Sequence, residues 1–236
     1  MGVLEELRVV RRADVLEQAD RADPIELPFD IAVVHQRELD LVVHAFGLRA
    51  LLAEGEFDRI SSVGLLEHVG TPHYPQFFKH THKLLKPDGV MFSHCCGRAG
   101  APGFTDAWTR KYIFPGGYIP ALSELVKESE KAGFQIMDVE AMRFHYSHTL
   151  EEWYNRTVMH KDEIVEMYDE TFYRMWQFYL AGAEQSFRHG KLVNWQLIYV
   201  KDRNAIPMTR EFIHEESARL RESEEPPVWH LAQAAE

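Results

Sequence analysis

From residue 57 onward the apolar and polar positions fall into blocks that read as separate elements. The run FDRISSVG over 57–64 is short, apolar at its centre and closed by a glycine, which predicts a buried strand. Pro72 opens a helix that reads through residue 85 (PHYPQFFKHTHKLL), since proline is favoured in a first helical turn. Lys86-Pro87-Asp88-Gly89 predicts a tight turn, with proline fixing φ and glycine relieving the corner. VMFSHCC over 90–96 predicts the next strand, ended by Gly97. Strand, helix, turn and strand make a βαβ unit, with parallel strands and a right-handed crossover.

Residues 98–120 form a long Gly/Pro/aromatic connection containing KYIFPGGYIP, and long loops in compact domains are usually functional. A helix is predicted over 121–132 with Gly133 as its cap, then a strand-like segment over 134–146, a helix over 150–160 and a long helix over 162–188. LVNWQLIYVK over 192–201 alternates as a strand, and a charged helix over 209–225 ends at Pro226-Pro227. Upstream, 5–19 reads as a helix and 29–36 as a strand. Residues 39–54 fit either a strand or an amphipathic helix, because a short apolar run does not decide between them.

Composition narrows the class. The 236 residues suit one large domain, long enough to bury a core without disulfides or metals. A formal net charge of -11 lacks the electrostatic footprint of a nucleic-acid binder. It also argues against global attraction to anionic lipid, leaving peripheral membrane contact as a local matter. The only cysteines, Cys95 and Cys96, are adjacent and bridge only with strain, so no disulfide framework is expected and a reducing cytoplasm is the expected location. The N-terminus has no apolar core of a signal peptide, and no apolar run approaches the ~18 residues of a membrane span.

Ligands of open α/β sheets bind beyond the carboxyl ends of the strands. Glu67 and His68 follow the first strand of the βαβ unit, and His94, Cys95 and Cys96 close the second. Adjacent parallel strands lie ~4.8 Å apart, so Glu67 and His94 can face one pocket, where they would orient an anion or pass a proton. The alternative is a buried His–Glu hydrogen bond that fixes a loop. Metal binding is not expected, although the chain has 13 histidines: His80 and His82 point apart on a helix, the two cysteines alternate faces, and there is no HExxH or CxxC. Tyr168, Phe172, Tyr173, Trp176, Tyr179 and Phe187 form a wide aromatic stripe. It is either core packing or one wall of an apolar channel for a long lipid chain, with Trp108, Tyr112, Phe114 and Tyr118 at its mouth.

The runs FDRISSVGLLEHVG, LKPDGVMFSHCCG, WTRKYIFPGGYIP, HYSHTLEEWYNR and MWQFYLAGAEQSFRHGKLVNWQLIYVK, in this order, resemble the cyclopropane-fatty-acyl-phospholipid synthase family, which includes the mycolic acid cyclopropane synthases. The resemblance covers about residues 55–202. It implies an α/β fold, an incomplete Rossmann-like class I methyltransferase sheet with helical lipid-binding insertions. It also implies S-adenosylmethionine as cofactor, bicarbonate as base, and methyl transfer to the cis double bond of an unsaturated phospholipid or acyl chain. The olefin attacks the sulfonium methyl, bicarbonate removes a proton from that methyl, and a cyclopropane ring closes. Such chemistry needs an anion beside a cation in a dry pocket, where low dielectric strengthens their attraction.

By the same resemblance Glu67 orients the bicarbonate, His94 binds it, Tyr146 donates to it, and Cys96 contributes its backbone N–H in place of the family's isoleucine. Val63, Gly64 and His68 fall at the cofactor, and Tyr112, Phe114, Trp176 and Tyr179 in the substrate channel. The family's glycine-rich loop, ribose-binding acid and upstream cysteine have no counterpart in residues 1–56. This divides the chain into an atypical segment (1–56), the C-terminal part of a methyltransferase domain (57–202) and a charged helical tail (203–236). The second implication is therefore a non-catalytic, truncated or degenerate member that acts as a lipid- or partner-binding module.

Overall fold

Four strands, β1 (Phe57–Val63), β2 (Leu85–Arg98), β3 (Gln135–Met142) and β4 (Leu192–Val200), form one sheet in the order β1-β2-β4-β3. The computed structural model describes Gly55 and residues 57–223. The elements expected over 5–19, 29–36 and 39–54, and the Pro226-Pro227 terminator, lie outside the described residues. The helices are α1 (Leu66–Val69), α2 (Tyr74–Leu84), α3 (Ala107–Tyr112), α4 (Leu122–Lys131), α5 (His145–Met159), α6 (Lys161–Met167), α7 (Glu170–Arg188) and α8 (Glu211–Ser223). No helix among the described residues is long and apolar enough to cross a membrane.

The βαβ unit forms as its sequence requires, with β1 and β2 parallel. Pro72 sits in a short 3₁₀ turn, Thr71–His73, and α2 proper starts at Tyr74 with Pro75 in its first turn. Tyr74, Phe77, Phe78, Thr81 and Leu84 recur at helical spacing and are buried. Tyr74, Phe77 and Phe78 pack with Leu125 of α4 on one face of the sheet, against Met91 and Cys95 of β2 and Trp195, Leu197 and Tyr199 of β4, while Leu84 packs on Phe57 and Ile60 of β1. The polar pair in this core, Ser93 and Tyr199, is satisfied by a 3.0 Å hydroxyl–hydroxyl hydrogen bond.

Lys86-Pro87-Asp88-Gly89 is not a separate turn. It lies inside β2, where the register moves from Phe57↔Leu85 to Arg59↔Val90, so two steps on β1 face five on β2. The extra length is absorbed as an irregularity of the strand. Nor does Gly97 end the strand, which continues to Arg98. Gly97 instead makes room for the Trp195 indole: a Cβ there would come 1.9 Å from Trp195 Cδ1.

Two further expectations are corrected. The strand-like reading through 146 stops at Met142, and Tyr146 lies in the first turn of α5. The Ser147 hydroxyl donates to Phe144 O at 2.7 Å, and Ser147, Leu150, Trp153 and Thr157 are buried at helical, not alternating, spacing. The long helix expected over 162–188 is two helices. Asp169 breaks it by accepting the Phe172 N–H at 2.6 Å, starting α7 afresh. Helices α5 and α7 pack through a second cluster of Leu150, Trp153, Leu180 and Phe187. That cluster reaches Cys96 at the end of the sheet.

Candidate active site

The end of β1 is shaped by its backbone. Gly64 adopts φ +62 and donates its N–H to His94 O at 2.9 Å, which ties the ends of β1 and β2 together. The chain then enters α1, whose Leu66 and Val69 are buried while Glu67 points elsewhere. Glu67 is held from two further elements. The buried Tyr74 hydroxyl of α2 donates to Leu66 O at 2.9 Å, and Tyr118 of the KYIFPGGYIP connection donates its N–H to Glu67 O at 2.8 Å.

The Glu67 side chain reaches across to β2. Its Oε1 accepts the Cys96 N–H at 2.6 Å. Its Oε2 is shielded from solvent and has no hydrogen-bond partner among the described residues. Burial raises the carboxyl from 4.5 to about 7, with the Cys96 N–H opposing that rise. The Cys96 thiol is pushed well above its ordinary value by burial and by the neighbouring Glu67 charge. At neutral pH Glu67 can therefore accept or release a proton, whereas Cys96 stays a thiol.

His94 stands two residues before Cys96 on the same face of β2. Its Nδ1 lies 3.0 Å from Gln196 Nε2 and its Nε2 lies 3.1 Å from Asn194 Nδ2. These partners come from β4, where Gln196 stands opposite His94 and Asn194 opposite Cys96. Burial lowers the imidazole below its ordinary value, favouring the neutral ring. A neutral ring has one donor and one acceptor nitrogen, so one of the two amides must meet it through oxygen. Asn194 fits that part, because its Oδ1 is otherwise buried without a partner. No hydrogen bond joins His94 to Glu67 among the described residues. The two meet through Cys96, whose N–H binds Glu67 and whose Sγ lies 3.9 Å from the Asn194 amide.

Tyr146 packs edge-on against Trp153 at 5.8 Å and Phe187 at 5.0 Å, beside Cys96. Burial raises its phenol, and the neighbouring Cys96, Tyr179 and Glu67 groups add to the rise, so it stays a donor. A run of rings leads away from Glu67. His68 meets Phe114 at 6.2 Å, Phe114 meets Tyr179 at 5.8 Å, and Tyr179 meets Trp176 at 5.2 Å. Phe172 and Tyr168 continue the stack beyond Trp176. Tyr112 stands outside this run and packs on Trp108 at 5.8 Å. Tyr118 is turned inward: its hydroxyl donates to the Glu124 carboxylate at 2.8 Å. At the end of β1, Val63 is 61% exposed and a Cβ on Gly64 would meet nothing within 4 Å, so among the described residues this shelf is open. Among the described residues no group of three or more His, Cys, Asp or Glu side chains could hold a metal ion.

Sequence reasoning missed Asn194 and Gln196. The signal was present: two amides, two residues apart on one face of an otherwise apolar strand, ask for a buried polar partner on the neighbouring strand.

A family profile described as mycolic acid cyclopropane synthetase matches residues 38–197. The cyclopropane-fatty-acyl-phospholipid synthase of Escherichia coli (strain K12) is 35% identical over 144 residues, covering 61% of this chain and 37% of that protein. The chain thus spans little more than a third of the length of such curated relatives. Among solved structures, the cyclopropane synthase MmaA2 from Mycobacterium tuberculosis superposes with a TM-score of 0.58 at 28% identity, covering 64% of this chain and 57% of that one. The mycolic acid cyclopropane synthase CmaA1, complexed with SAH and CTAB, does so with a TM-score of 0.58 at 29% identity, over 64% and 57% of the two chains.

Proposed function

The chain belongs to the mycolic acid cyclopropane synthetase family, and on that footing we propose that it transfers a methyl group from S-adenosylmethionine to a lipid. The acceptor is the cis double bond of an unsaturated acyl chain, and bicarbonate is the base. The observation that carries this reading is the Glu67 carboxyl: buried, poised near neutrality, fixed through one oxygen by the Cys96 N–H and unpartnered at the other. A carboxylate held in that way suits a small protonated oxyanion, and the rings that adjoin it suit an acyl chain.

The described residues fit bicarbonate, and for the cofactor they supply the strand-end part of a site. The open shelf of Val63 and Gly64, flanked by His68, leaves room for the cofactor, which supplies an electrophilic methyl group when bound. Glu67 Oε2 can accept the proton of bicarbonate, and the Tyr146 phenol, kept protonated by burial, can donate to it. His94 joins them by exchanging its Asn194 hydrogen bond for one to the ion. The aromatic side chains Phe114, Tyr179 and Trp176 have two tasks. They exclude water, and their ring faces stabilise positive charge that develops on the acyl chain. The Glu67 charge adds to that stabilisation in the low dielectric of the cluster.

Calorimetric titration with S-adenosylmethionine, followed by mass spectrometry of unsaturated phospholipid for gain of one methylene, tests the reading. Cofactor affinity no tighter than millimolar would sink it. Glu67→Gln should lower turnover at least a hundredfold, in the range of lost acid–base catalysis, with cofactor affinity nearly unchanged. A second reading, a lipid- or partner-binding module without catalysis, is favoured by one observation: among the described residues β1 pairs only with β2, which leaves its outer edge for another strand. Acyl-lipid binding without cofactor binding in the same experiment would select it.

A further inference from the structure

The outer rim of the aromatic run has a surface that the proposed chemistry does not use. Phe104, in the connection just before α3, is 88% exposed. Helix α3 (AWTRKY) places Trp108 and Tyr112 one turn apart, and Trp108 lies edge-on to Phe178 of α7 at 4.9 Å. Phe178 is itself 65% exposed. Three exposed cations lie on the same elements: Arg110 and Lys111 on α3, and Arg174 one turn before Phe178 on α7. The Lys111 ammonium rests 4.7 Å over the Tyr112 ring. Of the neighbouring acids, Asp106 caps α3 itself and Glu170 meets Lys161. None of the three cations makes an ion pair among the described residues.

We propose that this rim, formed by Phe104, α3 and the Arg174–Phe178 turn of α7, docks the protein on an anionic phospholipid bilayer. Three features support a bilayer. The chain as a whole is strongly acidic, so a local group of unpaired cations runs against its composition and marks an anionic partner. Trp and Tyr side chains have an apolar body and a polar tip, which suits the headgroup level. Phe104 and Phe178 have no polar tip. An acidic protein surface would leave them in water, whereas a bilayer takes them into its acyl boundary. The rim and the site share helix α7. Phe178 adjoins Tyr179, whose ring meets Phe114, which meets His68 beside Glu67. In purpose the inference rests on the lipid-methyltransferase reading, since it explains how an acyl chain would enter. Its test needs neither cofactor nor turnover.

The experiment is co-sedimentation of the full chain with phosphatidylcholine vesicles and with vesicles one-third phosphatidylglycerol, at low and raised salt. The wild type should bind the anionic vesicles and lose affinity with salt. Each cation near an anionic surface strengthens adsorption by roughly fivefold, so Arg110→Gln, Lys111→Gln and Arg174→Gln together should weaken binding on the order of a hundredfold. Phe104→Ser with Phe178→Ser should weaken it at low salt too, where attraction of the cations is undiminished. Unfolding midpoints of both variants are measured alongside, and only variants that match the wild type are scored. Equal binding by wild type and variants, or no binding to either vesicle, would overturn the proposal. So would capture of an acidic protein by the intact patch with no binding to vesicles. Vesicle binding without cofactor binding would uphold the docking surface and reject only the catalytic reading.

Discussion

Burial of Glu67 has a consequence for stability that can be measured without any substrate. A carboxyl whose folded-state value lies above its unfolded value holds a proton more tightly when folded. Its ionised form then disfavours the folded state, by nothing below about pH 4.5 and increasingly as pH rises towards 7, levelling off above that. The interval from 4.5 to about 7 corresponds to about 3 kcal/mol at the upper plateau. Glu67→Gln removes the ionisation while keeping an acceptor for the Cys96 N–H. The variant should therefore resemble the wild type at pH 5 and exceed it at pH 8. With 2–4 °C per kcal/mol for a domain of this size, the gain in Tm should be on the order of 10 °C. The half-buried His94 pulls the other way, because its lowered value makes folding more favourable as pH rises past it. Comparing wild type and variant at each pH cancels that contribution. Thermal unfolding followed by circular dichroism across pH 5–8 is the assay. Parallel curves for the two proteins would show that Glu67 does not titrate in this range, and the proton-handling part assigned to it would fall.

Two further outcomes test the surroundings of that carboxyl. Gly97→Ala would drive a Cβ into the Trp195 indole and should destabilise the fold by about 1–3 kcal/mol, read by urea unfolding; an unchanged midpoint would mean that the indole can move aside freely. Nitrogen-15 spectra of the imidazoles should show His94 as one neutral tautomer protonated at Nε2 at pH 7. Asn194→Leu should mix the tautomers, and a mixture already present in the wild type would refute the assignment.

The βαβ unit was legible because proline and glycine punctuate it and because α2 keeps one apolar face. What failed did so for physical reasons that act beyond a local window. Phe144 and Tyr146 continue the alternation of β3, but burial of Leu150 and Trp153 against α7 makes that stretch a helix. The aromatic spacing runs unbroken across Tyr168 and Phe172, whose rings stack at 4.2 Å, and this hides the break that Asp169 makes in the backbone. Glu67 and His94 were expected at neighbouring strand ends; Glu67 lies in α1 just past β1, and His94 stands inside β2, opposite the last residue of β1. The two amides of β4 signalled a buried polar partner, but pairing them with His94 depends on which strand lies beyond β2. That strand is β4, running antiparallel, and it brings Asn194 and Gln196 to His94.

Cys96 is where the two polar systems join, and its backbone and side chain have separable parts in that junction. The N–H fixes Glu67 Oε1, and any residue except proline would supply it. The thiol is held protonated by burial and by the Glu67 charge, which removes it as a nucleophile. It acts through its volume, filling the space between the Asn194 amide and the cluster of Tyr146, Trp176 and Tyr179. A branched apolar residue at this position would keep the N–H and change only how closely Asn194 and Tyr146 approach the carboxyl. The sequence motif therefore specifies a backbone donor at the end of β2, while the side chain at that point sets the dimensions of the pocket around Glu67.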